Sequence, residues 1–307
     1  CLVGSEMCIR DRSISRGAGQ KGLRLMKIAV IPNLDKRDAD TYTREILAVL
    51  QENGAETLMH EKHRGQYEHV TFCKNHAALA ESCDLIVAVG GDGTIIHTAK
   101  HASVAGKPIL GVNLGRLGFL AGVEKDELHK LKALFTGDYR VRRLMMLSVT
   151  VHSVKGDTTY RALNDAVVSG AQSRIYDFGF SVDGSKLYKF RADGLILATP
   201  AGSTAYSLSA GGPVVDPESE CVIFTPICPH ALFNRSTLFC ADKTITVSTD
   251  SDYSGEVYLT IDGGAPIRIH KTDTVSVSRS TYYTELIQTD ERNFYDIVDS
   301  KFMQSRN

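Results

Sequence analysis

The apolar run Leu85-Ile86-Val87-Ala88-Val89, closed at once by Gly90-Gly91-Asp92-Gly93-Thr94, constrains this chain more than any other stretch. Five consecutive apolar residues without alternation mark a strand buried on both faces, as in a parallel sheet covered by helices. Ile95, Ile96, Ala99 and Ala102 then follow a helical period. In the order strand, turn, helix, Gly90, Gly91, Gly93 and Thr94 form a candidate phosphate cradle. Glycines admit close backbone approach, and a helix N-terminus offers unpaired amides to an anion. A carboxylate in such a cradle repels phosphate unless it has a task, such as accepting a proton or holding a metal. Asp92 is therefore the candidate catalytic residue, with helix capping or tightening of the turn as its purely structural alternative. No G-x-x-x-x-G-K followed by Ser or Thr occurs, so the turn is not a Walker A loop.

Two hydrophobic periods divide the chain. From Met26 to about residue 144, strands and helices alternate. Ile28–Ile31 and Pro108–Asn113 read as further strands, Thr41–Asn53 as a helix stopped by Gly54, and Glu124–Phe135 as a helix with Leu128, Leu131 and Leu134 on one face. Beyond residue 144 the period becomes two, at Leu147-Ser-Val149-Thr-Val151 and Val257-Tyr-Leu259-Thr-Ile261, with an Asp183-Gly184 hairpin signal. The expected fold is an α/β domain on a parallel sheet over residues 26–144, followed by a β-rich, sandwich-like domain over 145–282. The end, 283–307, turns helical and is expected to complete the first domain. Cys1 to Leu25 has no apolar period and reads as a disordered or non-native leader. Its Gly17-Ala-Gly19-Gln-Lys-Gly22 precedes the first strand, whereas a dinucleotide fingerprint must follow one.

A net charge of -1 with no basic block gives no support to nucleic-acid binding. No apolar run approaches the ~18 residues of a membrane span. Seven cysteines fall without paired or zinc-like spacing, which fits reduced thiols and a cytoplasmic location. No metal-ligand spacing links the histidines, so no protein metal site is expected.

Three more segments carry candidate chemistry. Asn113-Leu-Gly-Arg-Leu-Gly-Phe-Leu120 follows a strand, at the sheet edge where ligands of open α/β folds bind. Asn164-Asp165 sets an amide beside a carboxylate, suited to a base edge and to ribose hydroxyls, though such a pair is also common in turns. Arg191 to Pro213 contains a run of small residues and hydroxyls from Ala198 to Ala205, with Tyr206 available to stack on a flat ring. That run lacks charge and would be poorly solvated as an open loop. His97, five residues past Asp92, can reach a ligand from the first turns of its helix.

Taken in order, Gly-Gly-Asp-Gly-Thr, Asn-Leu-Gly-Arg-Leu-Gly-Phe-Leu, Leu-Asn-Asp and Asp-Gly-Leu…Thr-Pro-Ala-Gly-Ser-Thr-Ala-Tyr-Ser-Leu-Ser-Ala-Gly-Gly-Pro resemble the NAD kinase family across roughly residues 26 to 300. The glycine-rich turn alone is shared with diacylglycerol and sphingosine kinases, and resembles one in phosphofructokinases. The Thr-Pro-Ala-Gly-Ser-Thr-Ala-Tyr segment is far more specific. The resemblance implies a Rossmann-like domain of the phosphofructokinase and diacylglycerol-kinase type, with a β-rich partner domain. It implies transfer of the ATP γ-phosphoryl group to the 2′-hydroxyl of the adenosine ribose of NAD, giving NADP. A divalent cation, Mg²⁺ above others, would accompany ATP, and the protein would form a homodimer or homotetramer. By this resemblance Asp92 is the general base and Gly93 lies beside it on the dinucleotide. Asn164 and Asp165 hold adenine and ribose, Arg191 and Asp193 approach the dinucleotide, and Thr204, Ala205, Tyr206, Ser207, Leu208 and Ser209 line its pocket. His97 stands where it touches the ligand. Asp165 stands where the family more often has Glu, which shortens its reach by one methylene. Asp262-Gly263-Gly264 lacks the Gln often found after that aspartate turn, and reads on its own merits as a hairpin turn.

Overall fold

The computed structural model describes residues 25–115, 117–171, 175–230, 235–249 and 255–304; residues 1–24 of the expected leader, and Arg116, lie outside them. The first half holds β1 (Lys27–Pro32), α1 (Ala39–Glu52), β2 (Glu56–His60), β3 (Val70–Cys73), α2 (His76–Ser82), β4 (Leu85–Gly90), α3 (Asp92–Ala105), β5 (Ile109–Asn113), β6 (Val123–Glu124) and α4 (Ala133–Thr136). Strands β3, β2, β1, β4 and β5 lie side by side, all parallel. β4 is buried at every position. Its two faces serve two cores. Ile86 and Ala88 join Ile95, Ala99 and Ala102 of α3, while Val87 and Val89 join Ile46 and Leu50 of α1. An unbroken apolar strand is the consequence of having helices on both sides.

The second half adds β7 (Arg140–His152), β8 (Thr158–Ala162), β9 (Asp165–Gly170), β10 (Tyr176–Val182), β11 (Ser185–Ala192), β12 (Gly194–Ala198), α5 (Tyr206–Ser209), β13 (Cys221–Ile227), β14 (Thr237–Cys240), β15 (Ile245–Thr249), β16 (Val257–Ile261), β17 (Ile267–Ile269), β18 (Thr274–Gln288) and α6 (Phe294–Gln304). Among the described residues they form two layers. A smaller antiparallel sheet runs β14-β13-β12-β9-β16-β17, while β11, β10, β15 and β18 continue the parallel sheet beyond β5. Inner-face residues Ala166, Val168, Leu195, Leu197, Phe224 and Leu259 of the small sheet pack against Phe178, Phe180, Val247 and Val277 of the large one. The expected sandwich is this pair of layers, with side chains alternating inward and outward along each strand.

Strands β7 and β18 pair antiparallel over almost their full length, from Thr274↔His152 to Gln288↔Arg140, with one irregularity between Arg279 and Tyr283. Residue 144, where the hydrophobic period changes, falls in the middle of β7. β18 also meets β5, at Leu286↔Ile109, so the chain end completes the first-half sheet. Asp183 and Gly184 both take positive φ, 48° and 78°, as a two-residue hairpin between twisted strands requires.

The expected helix over Glu124–Phe135 is different in kind. Lys125–Lys132 is a 3₁₀ segment broken at Glu127, and only the last turn, α4, is α-helical. Leu128, Leu131 and Leu134 are spaced by three throughout, which matches the three-residue turn of a 3₁₀ helix better than 3.6. Glu127 is drawn out of helical geometry toward Lys130 at 2.8 Å and Arg292 at 2.8 Å.

Candidate active site

Gly91 caps α3 in extended conformation, so Asp92 occupies the first helical position, two residues earlier than the apolar period indicates. There the N-terminal end of the helix dipole favours its negative charge. Both carboxylate oxygens are held from outside the helix. Phe119 N–H donates to Oδ2 at 3.0 Å and Leu120 N–H to Oδ1 at 3.2 Å. The segment after β5 thus wraps the acid, and a carboxylate has lone pairs left to accept from a substrate hydroxyl. Gly118 makes the wrap possible, because a Cβ there would strike Asp92 Oδ1. Gly118→Ala is therefore expected to displace the carboxylate and lower turnover on the order of 100-fold, since misplacement near 1 Å costs about that much. The check is steady-state kinetics beside a circular dichroism spectrum matching the wild type; unchanged turnover would show that the clamp is irrelevant to chemistry.

Asn113 Nδ2 donates to Glu124 Oε2 at 2.8 Å, close by. Burial pushes the Glu124 carboxyl above its usual range against this hydrogen bond, and the Asp92 charge adds to the rise.

The second wall stands on the small sheet. A cavity of about 450 Å³ is lined by Asn164, Asp165, Val167, Ser169, Ala205, Tyr206, Thr260, Asp262 and Gly263. Asp165, Val167 and Ser169 alternate along β9 and so share its outer face, opposite the sandwich core. Asn164 Oδ1 is buried with no partner. Asp165 is 4% exposed, and its carboxyl is pushed up to about 7, first by burial and then by the Asp262 charge.

Asp262 is the residue that reading the sequence missed. It lies at φ 50° in the turn between β16 and β17, as Asp-Gly-Gly suggests. Its side chain reaches back to the Asn-Asp turn. Oδ2 accepts from Leu163 N–H at 3.0 Å, and Oδ1 from Asn164 N–H at 2.8 Å and Asp165 N–H at 3.1 Å. Burial raises its pKa against these three donors. With three donors on Asp262, Asp165 is the member of the pair that takes the proton. Asp262→Ala would strand three backbone amides at a cost of about 2–4 kcal/mol. Expected results are a melting temperature lower by roughly 4–8 °C and, for the NAD that the family resemblance implies, a raised KM. Thermal unfolding and a titration with that dinucleotide check them, and a variant that matched wild type in both would remove Asp262 from the site.

The small-residue run does allow close approach. Gly202 sits against the Asn164 carbonyl, where any Cβ would collide. Thr199 N–H donates to Asn164 O at 2.8 Å, and Thr199 Oγ1 bonds Leu163 O. The run is no open loop: Ala201–Thr204 is a 3₁₀ turn and Tyr206–Ser209 a short helix. Most of its hydroxyls are committed inward. Ser203 bonds Val215, and Ser207 is fully buried with its hydroxyl 2.9 Å from Thr225 Oγ1. Ala205 and Tyr206 are the members that face the cavity.

The other expected residues lie elsewhere. Arg191 pairs with Asp177 at 3.1 Å at the end of β11, and Asp193 binds Ile227 O through its backbone, beside Gly170 at the far end of β9. Gly93 is exposed on α3. His97 faces a histidine group between α2 and α3, its ring centroid 5.4 Å from His76 and 6.2 Å from His101. Burial lowers the pKa of His97, and that of His76 to about 4, with the neighbouring imidazoles adding to the latter.

What joins the walls is one core. Ile95 and Ala99 of α3 pack in the same cluster as Leu163, Ala201 and Leu120. Lys100, on α3, is near enough for its charge to lower the Asp262 pKa. The helix that presents Asp92 thus abuts the segments that carry Asn164 and Gly202.

The model of the ATP-NAD kinase N-terminal domain matches residues 28–139, and that of the ATP-NAD kinase C-terminal domain matches residues 163–289. The chain is 37% identical over 285 residues to the NAD kinase of Thermoanaerobacter sp. (strain X514), covering 91% of this chain and 100% of that one. It is 38% identical to the NAD kinase of Symbiobacterium thermophilum, covering 90% and 98%. Among solved structures, yeast NADH kinase complexed with NADH shares the fold at TM-score 0.81 and 23% identity, covering 90% of this chain and 86% of that one. An NAD kinase from Archaeoglobus fulgidus in complex with ATP superposes at TM-score 0.68 and 25% identity, covering 89% and 99%.

Proposed function

Since the chain belongs to the NAD kinase family, phosphorylating NAD to NADP with ATP as donor, we propose that Asp92 is its general base. The observation that carries this reading is the Phe119 and Leu120 clamp on a carboxylate at a helix N-terminus. The clamp holds the acid still while leaving it able to accept the proton of the ribose 2′-hydroxyl. Phosphoryl transfer asks mainly for alignment and charge neutralisation, and a fixed acceptor beside helix amides supplies both. Gly90, Gly91, Gly93 and Thr94 cradle the incoming phosphates.

In this reading Asn164 offers its unpartnered Oδ1 to the adenine amino group, and Asp165 accepts from ribose hydroxyls. Tyr206 and Ala205 close the cavity over the nucleoside, with Thr204, Ser207, Leu208 and Ser209 holding that turn in place. Arg191 and Asp193 take the far part of the dinucleotide, and His97 borders the ligand from α3.

A divalent cation, Mg²⁺ above others, belongs to the proposal. Among the described residues no three His, Cys, Asp or Glu side chains are posed to hold a metal. The hard oxygens present are those of Asp92 and Glu124, and the Asp92 charge is felt at Glu124. That donor set fits a cation held by one or two carboxylates and mostly by phosphates. When bound, the cation neutralises phosphate charge during transfer. A homodimer or homotetramer and a cytoplasmic location complete the reading. No helix among the described residues is long and apolar enough to cross a membrane, and Cys73, Cys83, Cys221, Cys228 and Cys240 are free thiols.

The test of the residue roles is NADP formation from NAD, ATP and Mg²⁺, with light scattering for assembly. Wild-type turnover that is abolished by chelation and restored by Mg²⁺ supports the metal; turnover indifferent to chelation removes it.

A further inference from the structure

Outside the site, two cysteines meet across an edge of the small sheet. Cys221 opens β13 and Cys240 closes β14, and the two are directly opposite in the antiparallel register. Facing residues of an antiparallel pair have Cα atoms about 4.5 or 5.5 Å apart, and both spacings lie inside the about 4.4–6.8 Å that a disulfide spans. Directly opposite side chains also leave the sheet on the same face. That face is the outer one, where Cys221 packs beside Ile223. Both thiols are free, Cys240 exposed and Cys221 half-buried.

The surroundings permit closure. Among the described residues β14 is a four-residue edge strand bonded only to β13, so its backbone can adjust. Its other end is already tied, because Ser236 Oγ lies 3.1 Å from Thr225 Oγ1, which in turn meets Ser207. Burial raises the Cys221 thiol above its usual range, and charge on Cys240 adds to the rise. The remaining described thiols are poorer partners. Cys83 is buried, Cys73 is at the end of β3, and Cys228 follows the opposite end of β13.

We propose that Cys221 and Cys240 form a reversible disulfide, a covalent staple across β13 and β14 that closes in response to low-molecular-weight disulfides. The exposed Cys240 thiolate attacks one sulfur of oxidised glutathione, forming a mixed disulfide and releasing one glutathione thiolate. The Cys221 thiolate then attacks the Cys240 sulfur. The protein S–S bond forms, the mixed S–S bond breaks and the second glutathione thiolate leaves. The protein pair loses two electrons, glutathione disulfide gains them, and the protons of both cysteines pass to solvent. Closure pins the strand next to the Ser236-Thr225-Ser207 hydroxyl chain, and so stiffens the support of the turn that carries Tyr206.

The full chain is equilibrated in glutathione buffers of increasing oxidised fraction, acid-quenched, alkylated with N-ethylmaleimide and digested for mass spectrometry. The expected product is a peptide pair joined through Cys221 and Cys240, lighter by two hydrogens than the sum and lost on adding dithiothreitol. In Cys221→Ser, whose turnover under reducing conditions should equal wild type, Cys240 is expected to stop at the glutathione adduct. A link joining Cys240 to Cys228 instead would overturn the proposal. So would full alkylation of Cys221 and Cys240 at every poise while Cys228 carries glutathione.

Discussion

Asp92→Asn is expected to lower kcat about 10²–10⁴-fold, the usual contribution of a positioned base, while leaving the fold intact. The amide keeps the shape of the side chain and an oxygen for one of the Phe119 and Leu120 amides. It loses the second acceptor and the ability to take a proton. The N-terminus of α3 also loses its compensating charge, worth about 0.3–1 kcal/mol, so a small fall in melting temperature accompanies the kinetic loss. The split between kcat and KM is informative. If Asp92 acts chiefly in the transition state, kcat falls and KM for NAD moves little. Equal kcat in variant and wild type would make the acid a structural clamp for the segment after β5.

The second large effect has the opposite sign for stability and for binding. Asp165→Asn should stabilise the ligand-free protein and weaken NAD. The Asp165 carboxyl is raised from 3.8 to about 7. An acid whose folded pKa is raised binds its proton more tightly folded than unfolded. Stability therefore falls as pH climbs from about 4 to about 7, and the full cost stands above that window. A lift of that size corresponds to at most about 4 kcal/mol. The amide carries no such cost, so in urea unfolding the gap between variant and wild type should widen from pH 5 to pH 7 and stay level above. Ribose hydroxyls are best accepted by the ionised form, so wild-type affinity for NAD should rise with pH through about 7. Removing the charge should cost roughly 10–100-fold in Kd, the worth of a hydrogen bond to a charged group. A variant less stable than wild type at pH 8 would contradict the burial cost. Unaltered NAD affinity would take Asp165 away from the ribose.

How much of this was legible in the sequence depends on the range of each signal. The strand before Gly90 and the Asp183-Gly184 hairpin are local: a run of apolar residues, or two positions that must take positive φ, can be read within one window. Asp92 stands out as a candidate for the same reason, because its oddity is chemical and its neighbours are adjacent. The strands β2 and β3 and the helix α2 left no comparable mark. They are five, four and seven residues long, too short for a hydrophobic period to declare itself. Asp262 shows the opposite limit. Its own turn was read correctly, yet its carboxylate acts on amides almost a hundred residues earlier in the chain, and no period records such a bond. The hydroxyl-rich run does border the cavity, through Ala205 and Tyr206, but most of its hydroxyls have another use. Ser203 and Ser207 spend their hydroxyls holding the turn, and the glycine between them and Pro200 sets how closely it approaches Asn164.

The paired strands β7 and β18 bear on how this molecule moves. Because the β7–β18 ladder runs from Thr274↔His152 to Gln288↔Arg140 with a single break, the halves share a beam instead of a linker. Swinging one lobe against the other would strain that ladder. Compliance concentrates where the register slips, between Arg279 and Tyr283, giving a twist about the beam, and in the short turns that bear Tyr206 and Phe119. Ligand capture is then a matter of small loops settling onto a stiff frame, and loss of either lobe's packing propagates along the beam to the other.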